Sequence, residues 1–373
     1  MPDEEKHMNF AELERYLDGL AESGRVPAYD CRIKIGQETV FARRRSCEAD
    51  SLFWYYSATK VFTCTAACRL LERGLLELDA PVSRYIPEFA ELYVEGRNGV
   101  RRRAEGELTL RHLFTMCGGL TYNIFAPEIT ESEDRSTLGI VRNIARMPLM
   151  ADPGEMYIYS LCHDVLAAVV EVVSGRRFAD FVRQEITEPL GMRELVFHPD
   201  EDQTGRIAQQ YRWNGEEERP QPCENSNHFR FSPDYDSGGA GLCGRAEDYI
   251  LLPQALACGG TGANGYQVLK PETVALMGTN QLNERQLRSF NIGWLRLRAY
   301  GYGLGVRTRM NHKDGGLSSI GEFGWDGAAG AYCIIDPSRQ LSAFYAQHVL
   351  DMGPVYEEIH PKVRDLIYQC LDS

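Results

Sequence analysis

The hydrophobic positions fall into stretches of different period. Over residues 9–23, Phe10, Leu13, Tyr16, Leu17 and Leu20 recur at three- and four-residue spacing, which predicts an amphipathic helix. Residues 29–36 and 39–45 are shorter and strand-like around the turn Gly36-Gln37. From Ser57 to Arg73, the residues Val61, Phe62, Cys64, Ala66, Ala67, Cys68, Leu70 and Leu71 cover nearly every side. That pattern marks a buried helix, and Gly74 is placed to cap it. Helical spacing returns at 108–116, 136–146, 162–173 and 178–186, between Gly- and Pro-containing loops. The pattern then changes, and 301–308, 317–324, 329–335 and 340–347 read as short strands, with Asp336-Pro337-Ser338-Arg339 as a hairpin turn. Residues 354–371 close with a helix carrying Val355, Ile359, Val363, Ile367 and Leu371 four apart. Strands at both ends and helices between them predict an α+β architecture. A sheet domain would be drawn from 1–75 and 250–373, flanked by the terminal helices. A mainly helical domain would be inserted at 76–249, with the active site between the two.

Composition narrows the classes. The 373 residues are 43% hydrophobic and 25% charged, enough to bury a large core. The net charge of -13 disfavours nucleic acid as a partner, because such binding needs a basic surface. Arg101-Arg102-Arg103 is the one basic run, and its polar surroundings predict a solvated loop. Residues 1–7 are acidic and polar, unlike a secretory leader, and no apolar run is long enough to span a bilayer. The expectation is a cytoplasmic protein with no membrane partner. The 11 cysteines have no framework spacing; Cys64, Cys68, Cys162 and Cys333 read as small buried hydrophobes. Cys64 and Cys68 lack further ligands nearby and the eight histidines are scattered, so no metal or other cofactor is expected.

Three motifs carry candidate chemistry. Ser57-Ala58-Thr59-Lys60 is S-x-x-K. If Ser57 opens a helix, Lys60 lies one turn on, on the same face. A serine hydroxyl is a weak nucleophile until a neighbour takes its proton, and burial disfavours an ammonium. The helix start also offers N–H groups to an oxyanion. A capping serine and a surface lysine would be the plain alternative, but this lysine begins an apolar helix, where a free charge is costly. Tyr157-Ile158-Tyr159-Ser160 follows Pro153-Gly154 and precedes an apolar helix. A phenol near an ammonium can relay protons; two core tyrosines are the alternative. Gly324-Trp325-Asp326-Gly327-Ala328-Ala329-Gly330 lies between strand-like runs, where glycines let a ligand approach a strand edge, or simply form a hairpin.

This order of motifs resembles the serine β-lactamase and penicillin-binding-protein superfamily, most closely class C β-lactamases and family VIII carboxylesterases. The segments 75–82, 108–120 and 237–242 resemble the family as well, so that the likeness runs from about residue 28 onward. It implies a β-lactamase/transpeptidase-like fold and an acyl-enzyme mechanism. By position, Ser57 would be the nucleophile, Lys60 its proton partner and Tyr159 the second acid/base. The N–H groups of Ser57 and Ala328 would form the oxyanion hole. Tyr157, Leu161, Trp325, Asp326 and Gly327 would meet the substrate, and Asp79 and the Gly238-Gly239 loop would be structural.

Two positions depart from the family pattern. The tyrosine motif usually ends in Asn, which binds the amide beside a lactam or peptide bond; here it is Leu161. The third motif usually begins with Lys or His, which helps hold a substrate carboxylate; here it is Trp325. Both changes replace polar recognition by an apolar wall. The expectation is a serine esterase on small carboxylic esters. A β-lactamase or a D-amino-acid-specific peptidase is the alternative among hydrolases of ester or amide substrates, and a scaffold without turnover is the alternative of another class.

Overall fold

The structure, a computed structural model, describes residues 8–96 and 99–372; the acidic start at 1–7 lies outside them. Its centre is an antiparallel sheet of seven strands. These are β1 (Tyr29–Ile35), β2 (Glu38–Arg45), β3 (Tyr300–Tyr302), β4 (Arg307–Arg309), β5 (Phe323–Gly324), β6 (Tyr332–Asp336) and β7 (Leu341–Gln347). Their order is β3-β4-β5-β6-β7-β1-β2, so that β1 pairs with β7 across the whole chain, Tyr29 opposite Gln347 and Ile35 opposite Leu341. β7 is buried along its full length. Its side chains alternate between two cores, as strand geometry requires. Leu341, Ala343 and Tyr345 meet the terminal helices, whereas Phe344 and Ala346 face the core that holds the S-x-x-K helix.

The flanking helices are α1 (Ala11–Glu22) and α4 (His360–Asp372). Leu13, Leu17 and Leu20 of the first and Val363, Leu366 and Ile367 of the second share one core with β1. Two helices position the site: α2 (Thr59–Glu72) and α3 (Cys162–Ser174). α2 is buried on all sides from Thr59 to Cys68, as its sequence predicts. α3 ends on Gly175, whose φ of 67° is the left-handed cap that glycine adopts without a Cβ penalty. Small sheets stitch the middle of the chain to the rest. Phe53–Trp54 pairs with Cys243–Gly244, and Val349–Leu350 runs beside the hairpin Tyr211–Asn214/Arg219–Pro222.

Several elements differ from the expected ones. Residues 301–308 form two strands, because Gly303 donates to the Val306 carbonyl at 2.8 Å and turns the chain. Of 317–324, only β5 is strand; Ser318 and Glu322 turn inward and hydrogen bond at 3.2 Å. The helix expected at 108–116 is shorter, Leu110–Phe114, and starts where the Thr109 side chain accepts from the His112 N–H. The helices at 178–186 and 354–371 contain wide π turns, at Arg183–Thr187 and Val355–Ile359. Arg101–Arg103, expected as a loop, is an exposed strand paired with Tyr93–Glu95, where Arg101 meets Glu95 at 2.8 Å. Opposite charges on paired strands explain why a basic run forms an edge. Among the described residues no helix is long and apolar enough to cross a membrane, and no cluster of three metal-ligating side chains occurs.

Candidate active site

Ser57 sits in a single 3-10 turn, Tyr56–Ala58, that leads directly into α2. Tyr56 just before it has a φ of 47°, a left-handed conformation that a bulky side chain rarely adopts. Such strain costs on the order of 1–3 kcal/mol and persists only where the surroundings hold it. Here the holding contacts are explicit. The Tyr56 hydroxyl pairs with the Gln210 side chain at 2.6 Å, the Tyr55 hydroxyl donates to the Gly244 carbonyl at 2.6 Å, and Tyr249 donates to the Ala58 carbonyl at 2.8 Å.

Lys60, fully buried, lies one turn on and donates to Ser57 Oγ at 3.0 Å. Its second acceptor is the Gly239 carbonyl at 2.7 Å. Asp164 on α3 holds that carbonyl's loop: it accepts from the Tyr235 hydroxyl at 2.7 Å, the Ser237 hydroxyl at 2.8 Å and the Gly239 N–H at 3.3 Å. A Cβ on Gly239 would stand 2.5 Å from Asp164 Oδ2, so glycine is required for the loop to approach so closely. Behind Lys60, His163 is fully buried; burial first, and the Lys60 charge second, push its imidazole down to about 3. A neutral ring there adds no second positive charge beside the lysine.

Tyr159 also reaches Ser57. Its hydroxyl donates to Ser57 Oγ at 2.7 Å, and Lys60 Nζ stands 4.7 Å from the centre of its ring. The flanking backbone is anchored where Ile158 donates to the Met116 carbonyl at 2.8 Å and Leu161 to the Thr121 carbonyl at 3.3 Å. Trp325, expected as a purely apolar wall, instead donates from Nε1 to the Tyr159 hydroxyl oxygen at 3.2 Å and stacks on its ring. Indole is an apolar body with a polar edge, and the edge faces the site. One connected set of hydrogen bonds therefore runs Trp325–Tyr159–Ser57–Lys60–Gly239.

Ser57, Tyr159, Trp325, Asp326, Gly327 and Ala328 line one cleft of about 300 Å3. A Cβ on Gly327 would collide with the Tyr55 carbonyl, so this glycine lets the end of the strand lie against the Ser57 turn and sets Ala328 beside it. The Ser57 and Ala328 N–H groups have no protein acceptor among the described residues. Two expected contact residues are elsewhere. Leu161 precedes α3 and is fully buried in the core, because the chain turns inward there to begin the helix. Tyr157 also points into the core, its ring against Phe290 and Tyr302 at 4.9 and 5.1 Å. Neither lines the cleft.

The opposite walls come from residues that no motif marks: Tyr122, Phe229, Trp294 and Tyr356, with Arg212 and Arg296. Tyr122 and Trp294 both pack on the Tyr159 ring, at 5.4 and 5.5 Å. Nothing local singles out Trp294, which stands among Phe290, Ile292, Leu295 and Leu297. Asp326 is a buried member of two ion pairs. Arg307 Nη1 donates to it at 3.0 Å and Arg296 Nη1 lies 2.8 Å from its other oxygen. Burial pushes the Asp326 carboxyl up, but the two guanidiniums outweigh it and hold the group below the usual carboxylate range.

Comparison with known proteins agrees with this geometry. A family model described as Beta-lactamase matches residues 13–364. Esterase EstB of Burkholderia gladioli is 33% identical over 238 residues, 57% of this chain and 58% of that protein. ML-236A carboxylate methylbutanoyltransferase mlcH of Penicillium citrinum is 28% identical over 74% of this chain and 68% of its own. Among solved structures, EstCE1, described as a hydrolase with promiscuous acyltransferase activity, superposes with a TM-score of 0.79 at 23% identity, covering 96% of this chain and 98% of that one. With the Ser57–Lys60 turn, the tyrosine loop and the late glycine strand meeting in one cleft on this α+β, transpeptidase-like fold, the chain belongs to the Beta-lactamase family.

Proposed function

We propose that this protein is a serine hydrolase that works through an acyl-enzyme and takes small carboxylic esters. The observation that carries the reading is the convergence of Lys60 and Tyr159 on Ser57 Oγ, at 3.0 and 2.7 Å, at the floor of an aromatic cleft. With one of the two groups in its unprotonated form, Ser57 Oγ attacks the ester carbonyl and passes its proton to that group. The N–H groups of Ser57 and Ala328 receive the developing oxyanion. The same proton then goes to the departing alkoxide, and the acyl group stays on Ser57. Water enters and attacks the acyl carbonyl; its proton passes through the pair to Ser57 Oγ as the acyl–oxygen bond breaks, and the acid leaves.

The walls favour an ester over a lactam. A β-lactam brings an amide and a carboxylate, each of which loses water on binding and needs a partner. The position that would offer an amide partner is Leu161, buried in the core. Trp325 spends its single N–H on Tyr159. One unmade hydrogen bond to a charged group costs about 1.5–3 kcal/mol, or about one to two decades in rate. The relatives named as an esterase and a methylbutanoyltransferase support ester chemistry as well. A p-nitrophenyl ester is therefore expected to exceed a chromogenic cephalosporin in kcat/KM by at least roughly one decade. A better rate with the cephalosporin transfers the assignment to the β-lactamase reading.

Trp325→Phe is expected to keep the stacked ring and lose the N–H. Loss of one neutral hydrogen bond predicts a fall in kcat of about three- to tenfold. Unchanged kcat in steady-state assays would remove Trp325 from the positioning of Tyr159.

A further inference from the structure

Four buried or nearly buried charges form a row under one side of the cleft. Glu322 accepts from Arg307 Nη2 at 3.1 Å, Arg307 Nη1 donates to Asp326 at 3.0 Å, and Asp326 faces Arg296 at 2.8 Å. Two carboxylates balance two guanidiniums, so the row is neutral. Asp326 and Arg296 are its two members that line the cleft. The Arg296 guanidinium is fixed between the rings of Tyr356 and Trp294, 4.7 and 5.2 Å from their centres. The other arginine of the cleft, Arg212, is paired with Asp351. Among the described residues lining the cleft, both guanidiniums are thus already matched by carboxylates of the protein itself.

We propose that Asp326 is a specificity-determining residue: its carboxylate occupies the cleft-facing guanidinium of Arg296, so the site accepts uncharged esters and turns away substrates with an anionic group at that end. The inference rests on the serine-esterase reading and adds the charge of the substrate to it. An incoming carboxylate meets a cation whose partner is in place and a buried carboxylate close behind it. It gains little attraction and still loses its hydration. Removing the charge of Asp326 leaves the row with one unmatched guanidinium at the cleft wall, which is what an anionic substrate needs.

The test compares matched pairs of esters by kcat/KM. On the acyl side the pair is mono-p-nitrophenyl glutarate and p-nitrophenyl valerate, which share chain length and differ in charge. On the alcohol side it is p-carboxyphenyl acetate and phenyl acetate. The wild type is expected to disfavour the anionic member by roughly tenfold in at least one pair. In that pair Asp326→Asn, which keeps the volume and an oxygen for Arg307, is expected to raise the anionic-to-neutral ratio by roughly tenfold. Adding Arg296→Gln to that variant is expected to abolish the gain. Arg296→Gln alone, which exposes Asp326 to the cleft, is expected to lower the ratio further. Equal use of both members of each pair by the wild type overturns the inference. So does a folded Asp326→Asn protein with an unchanged ratio. If Asp326→Asn does not fold, as its melting curve will tell, the Arg296→Gln ratio decides in its place. Absence of turnover of all four esters by the wild type overturns the esterase reading and this inference together, whereas turnover with ratios insensitive to both substitutions overturns this inference alone.

Discussion

Ser57→Ala is expected to remove essentially all turnover and all covalent labelling by a fluorophosphonate, while the protein keeps its melting temperature. Ser57 is the hydroxyl on which Lys60 and Tyr159 both converge, and it opens onto the cleft. Its loss leaves two donors with no nucleophile between them. In serine hydrolases the loss of the nucleophile is on the order of a millionfold, down to the residual effect of binding and the oxyanion hole. The side chain is small and lines the cleft, so the change opens no core cavity and stability is expected to move by less than about 1 kcal/mol. Intact-mass analysis after labelling decides the matter. A full adduct on the alanine variant would place the reactive hydroxyl elsewhere and overturn the proposed mechanism.

The second large effect is expected at Lys60 and Tyr159. Each holds Ser57 Oγ directly, so Lys60→Ala and Tyr159→Phe are each expected to slow acylation by about two to four decades. Because both act on one oxygen, the double variant is expected to be little slower than the worse single one. Stopped-flow acylation rates for the three variants test this, and strictly multiplicative losses would assign the two groups to separate steps. The variants differ in a further way. Lys60 also holds the Gly239 carbonyl, so its removal leaves a buried acceptor without a donor and is expected to cost stability of about 1–3 kcal/mol. Tyr159→Phe keeps the aromatic stack with Trp325 and is expected to melt near the wild type.

What could be read from the sequence divides along physical lines. The all-round apolar helix after Ser57, the closing helix, β7 and the turn at Asp336 were readable because each is a local pattern. At that turn, for example, Ser338 donates from both its N–H and its hydroxyl back to Asp336. The Ser57–Lys60 pair was readable because one helical turn fixes its geometry. The placement of Tyr159 followed only from resemblance, since it is 102 residues from Ser57 and nothing local joins them. Two-residue strands such as β5 carry no usable period, and the buried guanidinium of Arg307 looks in sequence like any surface arginine. Leu161 shows a different limit. Its neighbours Tyr159 and Ser160 belong to a motif, but motif membership does not say which way a side chain points, and this one turns inward. The far walls, Tyr122, Phe229 and Trp294, were not readable, because separate loops bring them together only in the finished fold.

The pairing of β1 with β7 has a consequence for biosynthesis. Residues 29–35 emerge from the ribosome more than 300 positions ahead of their partner strand, residues 341–347. Until then β1 has only the β2 hairpin, and an isolated two-stranded hairpin is marginal in water. The nascent chain must hold the Ser57 helix and its apolar surface without the sheet that covers it until residues 300–347 have been made. Ala328, which the proposed mechanism assigns to the oxyanion, also arrives late. Chaperone dependence during synthesis, with slow refolding after dilution from denaturant, is expected from so non-local a contact.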